Sequence, residues 1–332
     1  MQKFIIGQNE SGQRLDKFLA KYLKEAPKSF VYKMLRKKNI TLNEKKAEGS
    51  EKLKDGDVIT FWMSDDTLDK FRGEHVSGTF AGISFPEIVF ENKDLLIMNK
   101  PVGILSQKAA KEDVSVNEMM LAYLLDHGAI SEESMQTFRP SICNRLDRNT
   151  SGLITGGKTL SGLQFLSEAF RDRSIHKYYY CLAAGRIGQK ASVKGYLCKD
   201  EKSNTVSVSA HVSKNADYIE TVYEPVETSG NFTLLKVCLI TGRTHQIRAH
   251  LASIGHPIAG DPKYGDSQVN EYMRRKYRLR HQLLHAGILQ MPDPCQAFPA
   301  LSGMEFYAQL PAAFSQILYR EGFAHDTIQA GE

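Results

Sequence analysis

No stretch of this 332-residue chain stays apolar for the roughly 20 residues a membrane span requires. The N-terminus turns polar after Ile6, so it lacks a signal-peptide core. Cysteine is sparse: Cys143, Cys181, Cys198, Cys238 and Cys295 are scattered, odd in number and without a CxxC pair. That usage argues against a disulfide framework or a zinc site and for a reducing compartment. The sequence also has no GxGxxG, GxxxxGK[ST], GxSxG or HExxH motif, so ATP, NAD and metal-hydrolase chemistry lack support. Internal repeats and low-complexity tracts are missing too. The expectation is a cytoplasmic protein without cofactor or metal and without membrane contact, acting as a monomer.

What is present is ordinary globular composition, 42% apolar and 24% charged, with an uneven charge. Residues 1–62 hold 14 Lys/Arg against 8 Asp/Glu, and the remaining 270 hold 29 against 30. A small basic module therefore carries the net charge of +5, as suits a part that meets phosphates, although a solubilising bias would look the same. Within it, "RLDKFLAKYL" places Leu15, Phe18, Leu19, Tyr22 and Leu23 at helical spacing. "PKSFVYKMLRKKN" predicts a second helix with Ser29 as N-cap, ending in Arg36, Lys37 and Lys38, and strands follow in "ITLN" and "DVITFW". Residues 1–63 are thus one module. Residues 64–85, polar and without a clean period, read as a linker. Residues 86–324 form a second domain, and 325–332 a frayed tail.

The second domain mixes strands and helices without regular βαβ alternation, which predicts an α+β fold with a mixed, mainly antiparallel sheet. "EIVFENKDLLIMNKP" reads as a hairpin, "SVNEMMLAYLL" as a helix with a Ser115–Glu118 capping box, and "LSGLQFLSEAFRDR" as a further helix.

Three stretches could carry chemistry. In "NRLDRNTSGL", turn-forming residues present Asp147 from a loop between Arg145 and Arg148. An ionised carboxylate there could be a nucleophile or base, or merely close an Asx-turn with surface ion pairs. In "HKYYYCLAAG", Lys177 and Tyr179 share one strand face and Tyr178 and Tyr180 the other. The pair suits a base and a phosphate, or the strand simply packs on a core. In "TGRTHQIRAHLASIGHPIAGDPKYG", Arg243, His245, Gln246, Arg248 and His250 crowd the first turns of a helix that Gly255 ends. Cations at a helix N-terminus oppose the macrodipole, so Arg248 calls for an anionic partner. His245 and His250 are five apart, which is not the spacing of a zinc pair. The tripeptide Arg-Leu-Asp occurs twice, on a helix at Arg14, Leu15 and Asp16 and on a loop at 145–147; the flanks, not the tripeptide, separate their roles.

Taken together, these motifs resemble the Rlu-type (RluA-like) pseudouridine synthases. "NRLDRNTSGL" is similar to the family's HRLDxxTSGL, "HKYYYCLAAG" to its KxYxAxxxG, and the third stretch to its GRxHQIRxH…GHPIxGDxxYG. "LLIMNKPVGILS" and "LLHAG" match an opening strand and a late segment, and residues 13–62 resemble an S4 RNA-binding domain. The resemblance implies that uridine in RNA is isomerised to its C5-glycoside. It implies Asp147 as the essential carboxylate, attacking C1′ or deprotonating C2′, and Arg248 as its partner. Tyr179 would stack on the uracil and aid removal of the C5 proton, and Arg145 would fill the space of the flipped base. Lys177, Arg243, His245, Gln246 and Leu284 would bind substrate, and Arg14, Lys33, Arg36, Lys37 and Lys38 would meet phosphates. Two positions depart from the pattern: Asn144 stands where the family has histidine, and Cys181 where it has alanine. Large-subunit ribosomal RNA is the expected substrate, with transfer RNA second and a non-catalytic ribosome-assembly factor as the alternative class. A glycoside hydrolase would need a second carboxylate that this loop does not supply.

Overall fold

Leu15, Phe18, Leu19, Tyr22 and Leu23 are all buried, as their spacing predicts, and they form the floor of the first of two sheets. The computed structural model describes residues 1–72, 82–110, 112–132, 134–200, 205–209, 211–212 and 216–324. The predicted tail lies outside them. The N-terminal module runs β1 (Gln2–Ile5), α1 (Leu15–Tyr22), α2 (Lys28–Arg36), β2 (Ile40–Leu42), β3 (Lys45–Lys46), β4 (Val58–Phe61) and α3 (Asp65–Arg72). Its strands order β1-β4-β2-β3, every pair antiparallel.

Two expectations change here. Helix α2 starts at Lys28 with Pro27 in the cap position, so Ser29 lies inside the first turn and caps nothing. Helix α3 occupies part of the predicted linker. Leu68 on it is fully buried in the same cluster as Leu19 and Phe61, with Phe71 packed alongside. One buried leucine in the charged run "DDTLDKFR" makes too faint a period to read. Hydrogen bonds join this module to the next domain. Thr137 Oγ1 donates to the buried Glu10 carboxylate at 2.8 Å, and the Leu160 amide donates to Asn9 Oδ1 at 3.1 Å.

The second domain continues β5 (Glu87–Glu91), β6 (Leu95–Lys100), α4 (Val116–Asp126), β7 (Ser141–Ile142), β8 (Ser151–Gly157), α5 (Leu160–Arg171), β9 (His176–Ala184), β10 (Ala191–Asp200), β11 (Thr205–Ser209), β12 (Asp217–Ser229), β13 (Phe232–Leu239), α6 (Gln246–Ser253), α7 (Ser267–Tyr277), β14 (Leu284–Gln290), β15 (Glu305–Tyr307) and α8 (Ala312–Arg320). They build an 11-stranded sheet, β11-β10-β12-β13-β9-β14-β8-β6-β5, with β15 on β14 and β7 on β8. Among the described residues only β8 and β14 pair in parallel. The sheet is therefore mixed and mainly antiparallel, and the fold is α+β as expected. The predicted capping box at α4 does not form: Ser115 Oγ donates to the Glu118 carboxylate instead, and the serine accepts no amide from the helix.

The parallel pairing of β8 with β14 fixes the position of the preceding loop. Gly152 opens β8 at φ 110°, and a Cβ there would lie 2.2 Å from the Ala286 carbonyl oxygen of β14. Only glycine allows the two backbones to approach this closely at that dihedral. The loop before β8 is thereby pulled onto the centre of the sheet. Alternation on β9 divides the cores as expected: Tyr179 and Cys181 face one cluster with Ile247, Leu251 and Leu284. Tyr180 and Leu182 face the other, with Phe314 and Leu318 of α8.

Candidate active site

The loop before β8 forms one wall of a cleft of about 960 Å3. Residues 143–150, the end of α5, the start of β9, the turn before α6 and the segment at Pro262 and Lys263 line it. Its charge is one-sided. Arg145, Arg148, Arg171, Arg173, Lys177, Arg243, Arg248 and Lys263 contribute cations, and Asp147 is the single carboxylate among the described lining residues.

Asp147 is held by Arg248. Arg248 Nη1 donates to its Oδ2 at 2.8 Å, and His245 Nε2 stands 3.9 Å from the same oxygen. The Arg248 guanidinium is committed further: its Nε and Nη2 donate to Asp261 at 2.7 and 2.8 Å. Asp261 is fully buried. Burial alone would raise its carboxyl, but Arg248 and the amides of Lys263 and Tyr264 outweigh that and hold it below the ordinary carboxylate value. The anionic partner expected for Arg248 is thus two carboxylates, one buried and one at the cleft. The Tyr264 ring lies under the guanidinium at 5.1 Å and its hydroxyl meets His245 Nδ1 at 2.9 Å. Burial holds the His245 imidazole below its ordinary value despite Asp147, which favours its neutral form.

Tyr179 lines the cleft beside Leu284. Burial first, and then the Asp147 charge, push its hydroxyl far above the ordinary phenol value, so it enters any reaction as the neutral phenol. Lys177 is half-buried on the same face, 5.4 Å from the Phe170 ring, and burial lowers its ammonium. Arg145 and Arg148 are exposed on either side of Leu146 and Asp147.

Some predicted residues are placed differently. Arg243 and His245 precede α6 rather than occupying its first turn. Helix α6 begins at Gln246, and His245 sits at the cap with a left-handed φ of 55°. Arg243 instead pairs with Asp217 at 3.0 Å. Gln246 is buried, and its amide is spent inside the protein. The side-chain oxygen accepts from Thr241 Oγ1 and the Arg243 amide, while the nitrogen donates to the Glu220 carbonyl and Thr221 Oγ1. Those bonds give it a turn-holding role, at a position that also lines the cleft. In the N-terminal module Lys33, Arg36, Lys37 and Lys38 are exposed and are not among the residues that line this cleft. Arg14 is already paired with Asp16 at 2.8 Å, and Tyr32 Oη donates to the same carboxylate, which gives Asp16 a task its sequence context does not suggest.

Other residues build the site without standing out in the sequence. Lys100 is fully buried at the end of β6 and donates to the carbonyls of Pro101, Ile104 and Arg148 at 2.9, 2.7 and 2.9 Å. Ser106 Oγ donates to the Leu146 carbonyl at 2.7 Å and accepts its amide at 2.9 Å. Together they clamp the backbone on both sides of Asp147. Asn144 Oδ1 accepts the Thr155 amide at 2.7 Å and its nitrogen donates to the Leu153 carbonyl at 3.3 Å, tying the loop to β8. The signal for Lys100 is a lysine closing a strand whose first four residues are apolar; Ser106 carries none.

Comparison with known proteins agrees with this geometry. Residues 94–253 match the family model described as RNA pseudouridylate synthase, and residues 13–59 match that of the S4 domain. The Vibrio cholerae ribosomal large subunit pseudouridine synthase C is 32% identical over 326 residues, covering 96% of each chain. An uncharacterized RNA pseudouridine synthase of Mycoplasma pneumoniae is 31% identical, over 95% of this chain and 97% of its own. The chain belongs to the RNA pseudouridine synthases. It is an isomerase that acts on RNA. The synthase shares its fold with the human RNA pseudouridylate synthase domain containing 4, at a TM-score of 0.56 and 21% identity over 71% of this chain and 92% of that one.

The Lys100 clamp gives the synthase a measurable dependence. Burial pushes its ammonium down to about 7, with Asp147 pulling it back up. Three carbonyl acceptors call for the three N–H bonds of the charged form. Lys100→Met fills the same volume and strands those acceptors, at roughly 1–3 kcal/mol for each group left unpaired. Thermal unfolding should show a Tm lower by several degrees, and turnover should fall with it as the loop loosens. An unchanged Tm would mean that other groups hold the loop.

Proposed function

We propose that this synthase isomerises uridines of large-subunit ribosomal RNA, as a cytoplasmic monomer, with Asp147 as the reacting carboxylate. The observation that carries the active-site reading is a lone carboxylate, oriented by a buried arginine, in a cleft whose other charged residues, among those described, are cations. The reading of the substrate rests on the near-complete overlap with a protein named for large-subunit ribosomal RNA.

In the proposed reaction the N1–C1′ bond breaks, the uracil turns, and C5 bonds to C1′. The C5 proton is lost and N1 gains one, so the product is an isomer with no redox change. Asp147 either adds to C1′ or removes the C2′ proton, and in both cases it acts as the carboxylate that Arg248 orients. The target uridine must leave its stack, because pairing and stacking hide C1′ and C5 from a side chain. Arg145, exposed beside Asp147, then takes the vacated space, and the Tyr179 and Leu284 wall receives the base. Ionising Tyr179 to serve as the C5 base is opposed by both its burial and Asp147, so packing against the uracil is its better-supported task. Arg243, His245 and Lys177 lie around the same opening, where a flanking phosphate would sit. Asn144 cannot titrate, and its bonds to β8 support a positioning role in place of the family's histidine.

The test is to map pseudouridines by carbodiimide and primer extension in ribosomal and transfer RNA from a strain lacking the gene. Loss of specific sites in large-subunit RNA, restored by the wild-type gene, is the expected result. Losses confined to transfer RNA would move the substrate, and no loss anywhere would leave the non-catalytic reading in its place.

A further inference from the structure

The chain contains one tryptophan, Trp62, and it is 52% exposed. It follows β4, just beyond the residues matched by the S4 model. An indole left in water forgoes a large hydrophobic gain, so its placement asks for a reason. The ring is held by its edge: the indole N–H donates to Thr41 Oγ1 at 3.2 Å. Among the described residues no ring or cation is paired with its faces. A fixed ring with a free face is thus presented to solvent.

Its neighbourhood is cationic. The Trp62 amide donates to the Asn39 carbonyl at 2.8 Å, which sets the tryptophan beside the end of α2. Arg36, Lys37 and Lys38 are exposed there, and none has an ion-pair partner among the described residues. Lys38 adopts a left-handed φ of 61°. The Lys38 and Asn39 amides donate to Leu35 and Met34, closing the turn in which glycine usually stands at that position. A lysine there is strained relative to glycine, so the side chain, not the turn, accounts for the residue.

We propose that Trp62 is a stacking platform for one unpaired RNA base, with Lys37 and Lys38 meeting the phosphates beside it. This rests on the reading of the chain as an RNA enzyme, and adds a base contact to a module otherwise expected to touch only phosphates. Stacking on an indole accepts any base. The base must be unpaired, since a paired and stacked base has both faces covered. A protein partner would need its own acidic surface against this run, whereas RNA brings one with every nucleotide.

Because Trp62 is the only tryptophan among 14 tyrosines, emission excited selectively at the red edge of indole absorption, beyond that of tyrosine, reports this site alone. Labelled RNA stems, one with an unpaired bulge and one fully paired, are titrated while binding is followed independently through the label. The bulged stem should quench Trp62, and the paired stem should bind without doing so. Trp62→Ala should weaken the bulged stem by about tenfold or more, with Trp62→Phe recovering part. Lys38→Gly should raise Tm, by relieving the left-handed backbone, yet lower affinity and flatten its salt dependence. Emission that stays unmoved at saturation, or that moves equally with both stems, would overturn the platform while leaving RNA binding intact. A wild-type chain that binds neither stem would overturn the RNA reading, and this proposal with it.

Discussion

Asp147→Asn is expected to lower isomerisation by at least about a thousandfold, the scale seen when one reacting side chain is removed, while the protein stays folded and still binds RNA. Asparagine has the same shape and keeps an oxygen that can accept from Arg248. What it loses is the charge, and with it the capacity to add to C1′ or to take the C2′ proton. The side chain is 25% exposed, so its neutral replacement does not strand a deeply buried partner, and Asp261 still neutralises Arg248. Thermal unfolding should therefore change little. The measurement compares wild type and variant on ribosomal RNA, with pseudouridine mapped by primer extension. Equal modification by the two proteins would remove Asp147 from the chemistry. Loss of RNA binding with turnover retained on the RNA that is bound would make it structural.

Asp261→Ala should have the opposite profile: a large loss of stability and a loss of turnover that results from it. Its two oxygens take two N–H bonds of the buried Arg248 guanidinium and the amides of Lys263 and Tyr264. Removing one partner of a buried pair costs about 3–5 kcal/mol, which corresponds to a Tm fall on the order of 10 °C. The sign of the pH dependence comes from the folded carboxyl lying below its ordinary value. The stabilisation is complete above the unfolded carboxyl value of about 4, and is lost as pH falls through the lower folded value. The gap in stability between wild type and Asp261→Ala should thus be constant near neutrality and close in strong acid. Turnover should fall through kcat with KM less affected, because Arg248 then swings on Asp147 alone. If Tm is unchanged, the Arg248–Asp261 pair is not what holds this wall of the cleft.

The features legible in the sequence are those that act over a few residues. Period-two alternation on β9 puts Lys177 and Tyr179 on the cleft face and Tyr178 and Tyr180 on the other. Turn-forming residues after Asp147 place it on a loop, and helical spacing chooses the buried side of α1. The misplacements have the same origin. Gln246 looks like a polar residue free to bind, and only the arrival of Thr241, Glu220 and Thr221 around it reveals that its bonds are used. Helix α3 shows almost no period because the core asks it for little more than Leu68. Helix α6 starts later than its polar cluster suggests, because a left-handed histidine at a cap has no local signature.

By itself, then, the amino-acid order determined the elements with a strong period, among them α1, α5 and β9, which face of β9 carries which tyrosines, and which carboxylate is presented from a turn. Only the tertiary structure decided that Arg248 is shared between Asp147 and Asp261, that Lys100 at the end of β6 and Ser106 beyond it clamp the loop, and that Gly152 must lack a side chain against Ala286. The physical reason is distance along the chain. Propensity and alternation are settled by neighbours, whereas Arg248 reaches Asp147 across 101 positions and Ser151 meets His285 across 134. Such pairings exist only once β8 and β14 have come together.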